Sequence, residues 1–323
     1  MPQPPTSPPP LPEAIGPYRV RELLGKAGQS TVYRAEDAKG RPVALKLFPR
    51  RLTEEPEAAE RFHREIAAVT PVTRHTHLVH VLGTGQEGDR LYVAMEMVEG
   101  TSLDRVLKAR RVGLPEAFAV MRGICRGLVH AHQSGYVHGN LAPRNVLVSP
   151  GFATVKISDL GASSFESVAA RSLTATLATG EIRLGALYYL APETMDSKAP
   201  ADARSDLYSA GAIFHEMLTG RSPGPKFGLP SQLNPAVPSE VDVVALRCLG
   251  RRPEERYASA QELLAALERL EESLSLRVLT EIREASSLLR GAGSGNGGRK
   301  MLLYVGIAVA VLLALVVVFW LVR

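Results

Sequence analysis

The chain has two cysteines, one tryptophan and no long run of like charge in 323 residues. Cys125 and Cys248 both fall in apolar stretches with helical spacing. That excludes a disulfide framework and predicts two buried, reduced thiols. The net charge is +5, but lysine and arginine are scattered rather than clustered. No basic patch is expected, so nucleic acid is excluded as the natural partner. No basic, apolar leader opens the chain, so no secretory signal is expected. Charge is missing altogether from residues 301–322, MLLYVGIAVAVLLALVVVFWLV. As a helix this run is about 33 Å long, enough for a bilayer core of about 30 Å. Tyr304 and Trp320 lie near its ends, where aromatic rings favour the interface. The run predicts a single C-terminal anchor in the lipid bilayer, with 299–323 as the membrane segment. Arg299 and Lys300 place the preceding domain on the cytoplasmic side. Gly306, Ala310 and Ala314 recur every four residues, a small-residue face that would allow a homodimer. No extracytoplasmic domain follows Arg323, so input is expected from the cytosol or from neighbours in the membrane.

What is present reads as a globular body between two tails. Hydrophobic residues make up 45% and charged residues 22%, as in ordinary folded domains. Residues 1–16 contain PQPPTSPPPLP, an extended segment that either docks a proline-binding domain or is a plain tail. From 17 to 96 the chain is rich in strand signals: Tyr18–Leu24, Thr31–Glu36, Val43–Phe48 and Leu91–Val98, broken at Gly25/Gly28, Gly40 and Gly88. One helix interrupts them, over Pro56–Val69, with Phe62, Glu65, Ile66 and Val69 on one face. From 97 to 270 helical periods dominate. One helix opens at Pro115; Asp206–Thr219 is apolar and ends at Gly220; Glu262–Leu270 is amphipathic. Residues 271–290 continue as a charged helix, and AGSGNGG at 292–298 is a linker within the 271–298 juxtamembrane stretch. A strand-rich part followed by a helix-rich part predicts an α+β protein with two lobes.

Several short motifs stand in order along this body. Gly25-Lys26-Ala27-Gly28-Gln29-Ser30 separates two strands, and Val43-Ala44-Leu45-Lys46 lies on the next. Arg64-Glu65-Ile66 sits on the first helix. Then come Met95-Glu96-Met97-Val98, the run His138-Gly139-Asn140-Leu141-Ala142-Pro143-Arg144-Asn145, Asp159-Leu160-Gly161 and Ala191-Pro192-Glu193. Together they resemble the protein kinase family over about residues 17–270. Within it the chain is most similar to bacterial membrane-anchored Ser/Thr kinases.

The resemblance implies a two-lobed kinase fold, with a small β-rich lobe over 17–96 and a helical lobe over 97–270. It also implies ATP and Mg²⁺ as cofactors. Gly25, Val32 and Ala44 would cover the nucleotide. Lys46 would hold its phosphates, paired with Glu65. Met95 would be the gatekeeper, and the backbone of Glu96 and Val98 would meet adenine. Asn145 and Asp159 would be the metal ligands, and Arg256 would pair with Glu193. His75, His77 and His80, like His130 and His132, read as structural rather than metal-binding; an i, i+2 pair on a helix does not face one way.

The departures from the family pattern are concentrated. Asn140 stands where the family has its catalytic Asp, Ala142 where it has a Lys, and Ala186 where Ser/Thr kinases have a Thr near the substrate hydroxyl. Gly139 replaces an Arg, so phosphorylation at Ser163, Ser167, Thr174 or Thr176 is not expected to switch the domain. A neutral amide cannot take a substrate proton, and loss of a general base typically removes about 10²–10⁴ of rate. The H-G-N triplet resembles pseudokinase domains. The expectation is a membrane-anchored pseudokinase that binds Mg·ATP and works as a signalling scaffold with cytosolic or membrane protein partners. Two rivals stand beside it: a weakly active Ser/Thr kinase, and a nucleotide-free interaction module.

Overall fold

The structure, a computed structural model, describes residues 11–27, 30–50, 57–161, 184–195, 201–222, 224 and 227–291. The apolar run 301–322, Gly28 and the hydroxyls at 163–176 lie outside them. Among the described residues no helix is long and apolar enough to cross a membrane.

The first lobe is an antiparallel sheet of six strands: β1 (Ala14–Ile15), β2 (Tyr18–Ala27), β3 (Ser30–Glu36), β4 (Pro42–Leu47), β5 (Val81–Glu87) and β6 (Arg90–Glu96). They stand in the order β1-β2-β3-β4-β6-β5. The strands alternate as a sheet with two buried faces should. Val43, Leu45 and Leu47 of β4 pack outward with Ala35, Tyr92, Ala94 and Ile15. Ala44 faces the other way, with Val93 and Met95, against α1 (Ala58–Val69). Helix α1 buries Phe62, Ile66 and Val69, the face its spacing predicted, and Phe62 meets Phe48 edge-on at 5.1 Å between ring centres. The folded body starts earlier than residue 17, because Ile15 pairs with Tyr18 and is 1% exposed. An apolar side chain beside the turn at Gly16 is enough to draw residues 14 and 15 into the sheet.

The second lobe is helical apart from a small sheet of β7 (Thr101–Ser102), β8 (Val146–Val148) and β9 (Val155–Ile157). Its main helices are α2 (Leu103–Ala109), α3 (Leu114–Gln133), α4 (Ala203–Thr219), α5 (Ser239–Cys248) and α6 (Ala260–Gly291). One core joins them, from Phe118, Met121 and Ile124 on α3 to Ile213 and Phe214 on α4 and Leu263 and Leu267 on α6. Both cysteines are buried in it and free. Helix α4 opens on Asp202, whose carboxylate accepts from the Ser205 N–H at 2.9 Å, and stops at Gly220.

The expected boundary at residue 270 is not a break. Helix α6 runs through it, with Glu271 buried and ion-paired to Arg122 of α3 and Leu274 packed on the core. Residues 271–274 therefore belong to the domain rather than to a separate juxtamembrane element.

Candidate active site

Cross-strand register assembles the nucleotide-side residues. Gly25 pairs with Val32, Val32 with Lys46 and Lys46 with Val93. Ala44, two residues from Lys46, pairs with Met95. Directly opposed residues share a face, and so do residues two apart. Val32, Ala44, Lys46 and Met95 thus lie on one face of the sheet, the face turned to the second lobe. Met95 lines a narrow cleft there with Phe48, Ile66 and Leu160, and Lys46 and Asp159 meet inside it. The Lys46 ammonium is 3.0 Å from the Asp159 carboxylate, and their side chains are only 3% and 13% exposed. A buried ammonium of this kind needs an anion, and Asp159 supplies one. The Phe48 ring adds a weaker contact at 5.3 Å. Glu65 is half-buried on α1, beside Ile66.

The link between lobes is held by side chains. Glu96 donates its N–H to the His80 carbonyl at 2.8 Å. Its carboxylate accepts from the His80 N–H at 2.8 Å and from the Lys156 ammonium at 2.6 Å. With that carboxylate engaged, Glu96 faces a ligand through its main chain. Val98 packs beside the inner cluster. At the cleft mouth Arg105 of α2 donates to the Leu24 carbonyl of β2 at 2.9 Å, bridging the lobes.

Below the cleft, the loop of residues 138–145 hangs from Asp206, which is fully buried on α4. Its carboxylate accepts from the His138 N–H, the Gly139 N–H and the His132 ring, each at 2.8 Å. Gly139 takes φ of 68°, which a side chain would resist. The His138 ring donates through Nε2 to the Ser158 carbonyl at 2.8 Å, tying the loop to the residue before Asp159. Asp159 itself has φ of 65°, a left-handed conformation uncommon outside glycine and characteristic of functional turns. Gly161 follows with φ of 81°, and an added Cβ would lie 3.1 Å from Val69. The turn is therefore tied to α1 by close packing.

At the transfer end the structure adds a residue that the motif comparison passed over. Arg144 donates from Nη2 to the side-chain oxygen of Asn140 at 2.8 Å. Ala142 is buried and carries no charge, yet a guanidinium stands beside Asn140 all the same. The signal was in the sequence, a cation four residues from Asn140, but its reach depends on the 3₁₀ turn at Pro143–Asn145. Asn145 donates its amide nitrogen to the Asn140 carbonyl at 2.8 Å, which leaves its amide oxygen as the atom for a hard cation. Ala186 lies in the 3₁₀ segment Leu184–Tyr189.

The supporting residues meet as expected. Arg256, its side chain wholly buried, grips both carboxylate oxygens of Glu193 at 2.7 Å. Burial alone would raise the Glu193 carboxyl, but the Arg256 hydrogen bonds and charge hold it below its usual value. Among the described residues no group of His, Cys, Asp or Glu is arranged to hold a metal by itself. His130 and His132 point to different partners, the Val72 carbonyl and Asp206.

The donor set fits a magnesium–nucleotide complex. A buried ammonium faces the Asp159 carboxylate beneath an apolar sheet face, and the Asn145 side chain supplies a further amide oxygen. Hard oxygens beside phosphates suit Mg²⁺, and the ammonium suits phosphate oxygens. When bound, Mg·ATP would supply an activated γ-phosphoryl group. The residues here can hold and orient it, but Asn140 offers no base.

The described fold agrees with known proteins. The family profile "Protein kinase domain" matches residues 18–266. Serine/threonine-protein kinase PknL of Mycobacterium tuberculosis is 35% identical over 278 residues, which are 80% of this chain and 67% of PknL. PknB of the same species is 32% identical over 305 residues, 87% of this chain and 48% of PknB. A probable serine/threonine-protein kinase of Clostridium acetobutylicum is 30% identical over 266 residues, 77% of this chain and 39% of that one. The chain thus spans from about two-fifths to two-thirds of the length of these relatives. The crystal structure of the M. tuberculosis PknI kinase domain superimposes with a TM-score of 0.63 at 22% identity, over 80% of this chain and 97% of that one.

Proposed function

The chain belongs to the protein kinase family, and from that premise we propose that it is a pseudokinase that binds Mg·ATP with little or no phosphate transfer. Its work would then be that of a nucleotide-responsive scaffold for other proteins. Residues 301–322 would anchor it in the membrane, with the kinase-like domain on the cytoplasmic side, where ATP is found. The observation that carries this reading is Asn140, a neutral amide at the position of the family's base, with its oxygen bound to Arg144. Such a group neither takes the substrate proton nor is free to orient the hydroxyl. Lys46 and Asp159, buried together at 3.0 Å, support retention of the nucleotide half.

Arg144 also favours a second reading, a weakly active Ser/Thr kinase. A guanidinium near the transferring group can offset developing phosphoryl charge. Proton loss would then rest on the substrate itself.

A thermal shift with Mg·ATP tests the nucleotide claim, because a ligand that binds only the folded state raises stability, by about 2.7 kcal/mol at a hundred times its Kd. The unmodified protein should melt at higher temperature with Mg·ATP than without. Lys46→Met should show no such difference relative to its own ligand-free melting point. No shift in the unmodified protein would overturn the reading in favour of a nucleotide-free interaction module.

A further inference from the structure

A second depression, of about 370 Å³, lies apart from the cleft between the lobes, walled by α3 and α6 and floored by the loop at His75–His77. That volume falls within the roughly 300–1,000 Å³ of small-molecule sites. Its polar lining is cationic or neutral. Arg126 and His130 come from α3, Gln261 from α6, and His75 and His77 from the loop. Val129 and Leu264 supply an apolar patch.

The rings are held in place. His75 stacks on His130, with centres 4.5 Å apart and planes within 9°. His130 donates through Nε2 to the Val72 carbonyl at 3.0 Å, and His77 through Nδ1 to the Val155 carbonyl at 2.9 Å. The His77 N–H donates in turn to His75 Nδ1 at 3.2 Å, so all three rings are oriented by the backbone or by one another.

We infer that this depression binds a small organic anion with an apolar body. The anionic groups would meet Arg126 and the imidazoles, and the body would lie on Val129 and Leu264. Charge around the site comes from Arg126, His75, His77 and His130, from Lys156 on β9, which pairs with Glu96 at 2.6 Å, and from Glu268 on α6, which pairs with Arg126 at 3.4 Å. That pair is nearly half exposed, so Arg126 can turn to a ligand at little cost. Burial pushes the His75 and His77 imidazoles down; at His77 the hydrogen bond to the Val155 carbonyl pushes back, and nearby cations push both further down. A bound anion reverses that push, so binding takes up protons and strengthens as pH falls. His77 also ties the site to the cleft side, since its carbonyl accepts from the Ile157 N–H at 2.9 Å, two residues before Asp159.

Calorimetric titration with benzene-1,3-disulfonate tests this, because the charge of that probe is constant across the histidine range. The expected result is saturable binding that tightens roughly threefold from about pH 8 to about pH 6 and approaches the tenfold limit of one pKa unit only at lower pH. Arg126→Gln, at a half-exposed position that leaves the fold intact, should weaken it by a similar factor. Saturating Mg·ATP should not displace the probe. No binding, binding that weakens toward low pH, binding indifferent to Arg126→Gln, or displacement by Mg·ATP would each overturn the inference.

Discussion

Arg144 donates to the amide oxygen of Asn140 at 2.8 Å. A guanidinium has donors only, so the atom facing it is the oxygen and the orientation of the amide is fixed by chemistry. The position of the missing base is therefore occupied and held. Asn140→Asp would place a carboxylate against Arg144 in a charge-assisted pair rather than free it for a substrate proton. With Ala142 and Ala186 unchanged, phosphate incorporation into a generic Ser/Thr substrate should stay well below the roughly 10²–10⁴ that a working base contributes. A gain of about a hundredfold or more from this single change would contradict that account.

Asp206 is the anchor of the same loop. It accepts from two backbone N–H groups and the His132 ring. Asp206→Ala leaves these donors buried without an acceptor, at about 1–3 kcal/mol each. Urea unfolding should show a loss of about 3 kcal/mol or more. A loss under about 1 kcal/mol would mean that water or a neighbour replaces the carboxylate.

The Glu193–Arg256 pair gives a pH signature. Because the folded Glu193 carboxyl lies below its ordinary value, it binds fewer protons folded than unfolded near about pH 4. Its contribution is present above the unfolded value of about 4.3 and is lost as pH falls through the folded one. Glu193→Gln should flatten part of the acid limb of a stability–pH profile and lower the plateau at neutral pH. An unchanged limb and plateau would show that the pair is energetically silent.

The sheet face was legible because alternation, strand breaks and the placing of Lys46 all pointed the same way. The register then put Gly25, Val32 and Lys46 in one row. β5 escaped notice because VLGTGQE carries two glycines and few strand formers; it is held by pairing with β6 rather than by its own propensity. Helix α5 buries Val241, Val244, Ala245 and Cys248 at helical spacing, but at 10 residues it is too short for that period to stand out from its surroundings. The ion pair of Lys46 with Asp159 and the reach of Arg144 were not readable, since both depend on how distant segments or a tight turn meet. Motif spacing gives the address of a residue, and only the folded loop gives its partner.

The proposed membrane anchor at 301–322 makes a topological prediction. The chain should stay with the membrane fraction after a high-salt wash, because an apolar span is not released by screening charge. Removal of residues 299–323 should make it soluble. In intact spheroplasts, added protease should leave the kinase-like domain uncut, while digestion from outside would reverse the orientation drawn from Arg299 and Lys300.

The most direct test is phosphate incorporation by the unmodified protein under Mg·ATP at a concentration that saturates its thermal shift, on itself and on a generic Ser/Thr substrate, compared with Asp159→Ala. The account predicts nucleotide-dependent stabilisation with incorporation no faster than that of the Asp159→Ala variant. Robust transfer by the unmodified protein, abolished by Asp159→Ala, would contradict it and make the chain an active kinase.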